Sequence, residues 1–392
     1  MTRGFERSTV RRVRTVDADQ HLFEPRTMWR DHIDPKLRDK ALAIEDDDLG
    51  YAWLTWQGQQ LYLAEPQQPM RARRIGQHRL RQQCGEPAET SYDEQVPASY
   101  SDPNARLAAL DGFGLDAAVL FPNFGLVWEE MLAPYLEALT GNLTACNRWQ
   151  AENATVGNGR LFPVAHLTLR DPDWAIAEIA RLGRDGVRLA MVAPAPVNGK
   201  RLSHPDHDRI WTAFCDAGVA PVFHVGNFKG ALHPAWYESD PDPADRLLDS
   251  VFLYMAPSIA LADLILNGTL ERFPELRIGV VELTAGWVPQ FLLMLDGSSD
   301  FYAMRHGSTL FPLRLRPSEY FMRQVRVGAL SYENPADLVR AVGDDVFMFG
   351  SDWPHAEGIA RPYDDYLPAV AALPEVSRSK VMAGNISWLL GI

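Results

Sequence analysis

Near the N-terminus, the run Val16-Asp17-Ala18-Asp19-Gln20-His21-Leu22 sets two carboxylates and an imidazole at every second position. An extended strand repeats its side chains every two residues, so Asp17, Asp19 and His21 are expected on one face. A carboxylate and an imidazole so spaced on a rigid strand can hold one metal ion between them. The same residues also read as polar groups leaving a strand, with His21 as a cap. His224 closes the apolar run Pro221-Val222-Phe223, where a buried imidazole needs a partner, metal or ordinary hydrogen bond. Asp352 follows Phe347-Met348-Phe349-Gly350-Ser351 and reads as ligand, as base, or as cap of the next helix. Together, Asp19, His21, His224 and Asp352 make a His₂Asp₂ set. Such a set suits Zn²⁺, Mn²⁺ or Fe²⁺, with a position left for water or substrate.

The elements that must position these groups are short apolar runs separated by helical patterns. Eight strands are expected: Val13–Ala18, Leu115–Phe121, Leu161–Leu167, Val187–Val192, Pro221–Val225, Arg277–Leu283, Gln324–Val327 and Val346–Phe349. Helices are expected between them, for example Asp173–Gly183 and His207–Ala217, the latter stopped by Gly218. Eight βα units predict a (β/α)8 TIM barrel with its chemistry at the C-terminal strand ends. An open doubly wound sheet lacks support, because no Gly-x-Gly-x-x-Gly follows the first strand. The barrel is expected as one unit over residues 13–392, after a flexible arm at 1–12. Insertions are expected at about 41–100 and 227–257. Within the first, Glu45–Ala64 alternates aromatics around Gly58 and reads as a β-hairpin, followed by a surface segment at Gln67–Gln83. Asn227–Pro257, after the fifth strand, is placed to cap the mouth, and both insertions are expected to shape the pocket.

The 392 residues carry 38 basic and 51 acidic groups, a net charge of −13 that disfavours nucleic acid as a partner. Three separated cysteines exclude a disulfide scaffold or a CxxC metal site. No secretory signal and no membrane-spanning run are read, so a cytoplasmic location is expected.

The segment Asp17–Pro25, the run Leu266-Asn267-Gly268-Thr269-Leu270-Glu271-Arg272-Phe273-Pro274, and Phe349-Gly350-Ser351-Asp352-Trp353-Pro354-His355 resemble the amidohydrolase-related family. The resemblance is strongest to its decarboxylase-like branch, which includes aminocarboxymuconate-semialdehyde and resorcylate decarboxylases. It runs in order over roughly residues 13–392. It implies that Asp19 and His21 occupy the first-strand ligand pair, that His224 is the strand-five ligand and that Asp352 is the strand-eight ligand, also active in proton transfer. It implies one divalent transition metal, zinc first, with manganese or iron as alternatives, and a homodimer. Where these relatives carry a histidine on strand six, this chain has Glu282, a candidate general base but no substitute for a neutral imidazole donor. Strand four holds none of the five lysines, which argues against a carbamylated lysine bridging two metals.

The expected activity is non-oxidative decarboxylation of a small aromatic or unsaturated carboxylate, with Asp352 delivering the proton. The alternatives are hydrolysis by metal-activated water, with Asp352 or Glu282 as base, and a barrel that binds without catalysing. His166 ends the third strand and reads as a catalytic group facing the pocket or as core. His355 reads as support for Asp352 or as a first-turn residue, and His233 as a lid or loop residue. His204 and His207 have ligand-like spacing but sit at a helix start. Arg188 and Arg305 are candidates to pair with a substrate carboxylate.

Overall fold

The computed structural model describes residues 14–48, 52–63, 97–124, 127–226, 234–237, 247–355 and 358–392. The expected arm, the Gln67–Gln83 segment, His233 and most of 227–257 lie outside these residues. Eleven strands occur among those described. The barrel is built from β1 (Val16–Leu22), β5 (Ala117–Pro122), β6 (Leu161–His166), β7 (Leu189–Met191), β8 (Ala220–His224), β9 (Ile278–Val281), β10 (Val325–Gly328) and β11 (Phe347–Met348). All pair in parallel and in chain order. The seam closes through Ala18 N–H to Phe349 O at 2.9 Å and Asp352 N–H to Asp19 O at 2.8 Å. The architecture is a (β/α)8 barrel, and all eight expected strands are present.

These segments are strands because barrel strands are buried on both faces and so read as nearly continuous apolar runs. β5 and β8 are buried at every position. One face packs inward, bringing Val16, Ala18, Val119, Val164, Met191, Val222 and Met348 together. The other meets the helices, as Ala165, Ala190, Phe223 and Ile278 do. Helix 172–184 starts at an Asp171 cap with Pro172 in its first turn, and helix 208–217 ends on Gly218 at φ 65°. The last helix, Asn385–Leu390, closes the N-terminal end by packing Ile386, Leu389 and Leu390 into the inner cluster. A Cβ added at Gly279 would stand 2.9 Å from Leu389 and 3.1 Å from Val222. Gly279→Val is therefore expected to lower unfolding stability by about 1–3 kcal/mol through overpacking. Urea unfolding measures it, and an unchanged midpoint would contradict this contact.

The expected hairpin is present as β3 (Ala52–Trp56) and β4 (Gln59–Leu63), joined by Gln57 and Gly58, both at positive φ, with β2 (Ala43–Asp46) added at the edge. Its buried residues Ala52, Leu54 and Trp56 join Trp29, Leu139 and Leu143 in a core outside the barrel. Its described buried face therefore packs among the flanking helices. The Asn227–Pro257 excursion ends within a regular helix, Met255–Leu266. Among the described residues, no helix is long and apolar enough to cross a membrane.

One expectation fails at the first strand. β1 starts at Val16 and runs on to Leu22, and it holds one more residue than β5 between Asp17 and Gln20. This bulge shifts the alternation. Val16 and Ala18 face inward, Asp17 and Gln20 face outward and bond each other, and Asp19 and His21 turn inward again. Asp17 does not share a face with Asp19 and His21.

Candidate metal centre

At the C-terminal mouth, the side chains of Asp19, His21, His224, Glu282 and Asp352 converge. His21 Nε2 stands 3.7 Å from Asp19 Oδ1, 3.6 Å from Glu282 Oε2 and 3.3 Å from Asp352 Oδ1. His224 Nε2 stands 3.6 Å from Asp19 Oδ1 and 3.2 Å from Glu282 Oε2. The local backbone is bent to achieve this. Glu282 and Asp352 lie just past the ends of β9 and β11 with φ near 55°, a left-handed conformation that aims their side chains into the mouth. His224 Nδ1 donates to Val225 O at 3.1 Å, which fixes the ring and leaves the Nε2 lone pair facing the cluster. The Phe121 ring lies beneath both imidazoles, with centroids 5.9 Å from His21 and 4.1 Å from His224.

The arrangement fits a divalent cation. Asp19 Oδ1, His21 Nε2 and His224 Nε2 are buried and find no hydrogen-bond partner among the described residues. Separations of 3.2–3.7 Å are wide for hydrogen bonds. They are what donors about 2.1 Å from a shared ion would show. Burial, with His355 and His224 nearby, holds the His21 imidazolium well below its usual range, and burial pushes His224 down to about 4. Both rings are thus neutral, the form that ligates. Burial and the charge of Asp352 raise Asp19, a repulsion that a cation would relieve.

His355 belongs to the same cluster. Its ring stacks on His21 at 3.9 Å between centroids. Its Nδ1 lies 2.7 Å from Asp352 Oδ1, and its Nε2 lies 2.9 Å from Asn123 Oδ1. The Asn123 amide thus holds the far side of the ring, as donor or acceptor according to the tautomer. The Asp352–His355 contact sets a titratable ring directly beside the donor set. Behind the donors, Asp17 Oδ1 accepts from the backbone N–H groups of Asp19 and Ser351, and burial raises its carboxyl to about 7.

His166 is fully buried at the end of β6, outside the donor set, with Nε2 2.8 Å from Glu129 Oε2 and the Trp128 ring at 5.8 Å. The strand register, stepped one residue per strand, sets His21, His166 and His224 in one layer of inward side chains on the first, third and fifth barrel strands. His204 accepts from Asp206 N–H, and His207 Nδ1 meets the Arg201 carbonyl, so both serve the helix start. The two arginine candidates lie elsewhere. Arg188 precedes β7 at the N-terminal end of the barrel, and Arg305 is exposed in the last turn of helix 288–306. Asn123, Glu129 and Arg106 contact the site or its supports but carried no sequence signal, since their partners are distant in the chain.

Known proteins fit this picture. The sequence matches the family model described as amidohydrolase over residues 16–392. No curated protein matches it. An amidohydrolase from Mycobacterium avium subsp. paratuberculosis K-10 is 25% identical, with a TM-score of 0.77 over 96% of this chain and 99% of that one. The 5-carboxyvanillate decarboxylase LigW from Sphingomonas paucimobilis is 19% identical, with a TM-score of 0.62 over 97% and 100%. A dihydroxybenzoic acid decarboxylase from Polaromonas sp. JS666, with bound manganese and the inhibitor 2-nitroresorcinol, is 14% identical, with a TM-score of 0.61 over 96% and 97%. A family match across nearly the whole barrel, on a chain whose donors gather at the mouth, leads to one statement of kinship: this chain belongs to the amidohydrolase family.

Proposed function

We propose that this protein is a metal-dependent, non-oxidative decarboxylase of a small aromatic or unsaturated carboxylate. One observation carries the reading: the Asp352–His355 pair, in contact at 2.7 Å, stands directly against a donor set of two imidazoles and three carboxylates. Similarity to decarboxylases of hydroxylated benzoates supports the substrate class.

In this proposal Asp19, His21, His224, Glu282 and Asp352 hold one ion. When bound, the ion supplies Lewis acidity that fixes a carboxylate and a neighbouring oxygen. Three carboxylates make the set harder than the expected His₂Asp₂ site, which favours manganese over zinc. Glu282 joins the ligands instead of serving as a free base. Asp352 donates its proton to the substrate carbon as the bond to the carboxylate breaks. The bonding pair stays on that carbon, CO₂ leaves, and His355, held by Asn123, replenishes Asp352. Opposite, His166 is oriented by Glu129 to present its second nitrogen toward a polar group of the substrate. A cytoplasmic setting and a homodimer complete the reading.

The second reading, hydrolysis by activated water, would use as base the carboxylate of Glu282, which stands 3.2 Å from His224 Nε2. Product analysis separates the two. Candidate hydroxylated aromatic carboxylates incubated in H₂¹⁸O and D₂O should release CO₂, leave one deuterium on the vacated carbon and gain no ¹⁸O. Incorporation of ¹⁸O without CO₂ release would replace this proposal with the hydrolytic one.

A further inference from the structure

Glu282 reaches the metal centre on a strained piece of backbone. It has a φ of 55°, and Thr284, two residues on, has a φ of 59°. The left-handed region is costly for residues other than glycine, and more so for a β-branched one. Two such residues this close persist only where their surroundings hold them. The local sequence does not, since residues 282–285 include no glycine, asparagine or proline. The hold comes from the next loop. Glu333 lies between β10 and helix Pro335–Val342. Its Oε1 accepts from the N–H groups of Ala285 at 2.9 Å and Gly286 at 2.6 Å, and its Oε2 accepts from Leu330 N–H at 2.8 Å. Ala285 and Gly286 lead into helix Val288–His306, so their N–H groups lie at its positive end and suit a carboxylate. A Cβ at Gly286 would stand 3.2 Å from Glu333 Oε1, so glycine there lets the carboxylate close on the turn. From the other side, Trp287 Nε1 donates to Thr284 O at 2.9 Å.

We infer that Glu333 is a positioning residue, which clamps together the loops after the sixth and seventh barrel strands and so sets Glu282 among the metal donors. The clamped turn carries Glu282 Oε2 to 3.2 Å from His224 Nε2 and 3.6 Å from His21 Nε2. The inference rests on the proposed ligation by Glu282. A helix cap would serve stability alone, and two features separate Glu333 from one. Its carboxylate takes N–H groups from two different loops, where a cap takes them from one helix. The turn it grips also carries a donor three residues before Ala285, in the strained conformation that aims the side chain at the mouth. Groups that orient a metal ligand from outside the donor set change metal affinity by about 10–100-fold when they are lost.

Calorimetric titration of the metal-free full chain with Mn²⁺ tests the clamp in the wild type, Glu333→Gln, Glu282→Gln and the two substitutions together. Glutamine keeps the size of Glu333 but turns an NH₂ group toward one of the loops, so one side of the clamp opens. Glu333→Gln should weaken Mn²⁺ binding by about tenfold or more. Added to Glu282→Gln, it should cost less than about twofold further, because the residue through which it acts is already gone. Glu333→Asp keeps the charge but is one methylene short of spanning both loops. It should bind Mn²⁺ less tightly than the wild type and carries the test if the glutamine form does not fold. Urea unfolding of each metal-free form separates this role from capping, which would move the midpoint and leave Mn²⁺ affinity unchanged. Losses that add in full, or a Glu333→Gln form that binds Mn²⁺ like the wild type while Glu282→Gln does not, would overturn the inference alone. Undiminished binding in Glu282→Gln would instead overturn the ligand role of Glu282, and the clamp with it.

Discussion

Asp352→Asn is expected to cut turnover by about 10²–10⁴-fold while leaving metal content close to that of the wild type. The substitution isolates the proton. Asn has nearly the same shape and is among the few residues that readily adopt the φ of 55° found here. Its side-chain oxygen still faces His355, which lies 2.7 Å from Asp352 Oδ1. What is lost is the exchange of a proton between that oxygen and the substrate carbon. Metal should remain, because Asp19, His21, His224 and Glu282 form a complete donor group without position 352. Metal analysis of the variant accompanies the rate measurement, so loss of the ion is not mistaken for loss of the acid. Turnover within about tenfold of the wild type, with metal bound, would remove Asp352 from the chemistry.

The barrel was legible because its strands are buried on both faces and end abruptly. His21, His224 and Asp352 stand where apolar runs stop, and that signal survives in a bare sequence. The direction of each side chain was harder to read. A one-residue bulge between Asp17 and Gln20 carries no glycine or proline to announce it, yet it decides that Asp19, and not Asp17, faces the mouth. Glu282 could be placed at a strand end, but its entry into the donor set depends on a left-handed backbone that local propensity does not encode. His355 is three residues past Asp352, so its nearness was visible, while its stacking on His21 required the seam of the barrel to close. Contacts that join residues about a hundred positions apart, such as Phe124 N–H to Glu24, had no sequence signature at all. The same is true of the arginine behind the first strand.

Arg106→Met is expected to lower unfolding stability by about 3–5 kcal/mol and to weaken metal binding, although Arg106 is not one of the converging donors. The guanidinium is fully buried in helix 103–113, where burial pulls it down to about 9. Three bonds and a ring contact hold it there. Its Nε donates to Ser99 O at 2.7 Å, one Nη to Gln20 Oε1 at 3.1 Å and the other to His21 O at 2.6 Å. The Trp353 ring lies 4.4 Å from its central carbon. Gln20 passes the connection on to Asp17, whose other oxygen holds the backbone of Asp19 and Ser351. One cation thus braces both sides of the seam that bring Asp19, His21 and Asp352 together. Methionine replaces only the apolar stem of the side chain and leaves Gln20, His21 O and Ser99 O without their donor and Asp17 without its counter-charge. Arg106→Lys keeps the charge but cannot reach all three acceptors, so its loss should be intermediate. Denaturant unfolding of the metal-free protein measures the structural part, and calorimetric titration with Mn²⁺ measures the positioning part. If Arg106→Met unfolds within about 1 kcal/mol of the wild type and binds Mn²⁺ as tightly, the donor geometry is set without this brace.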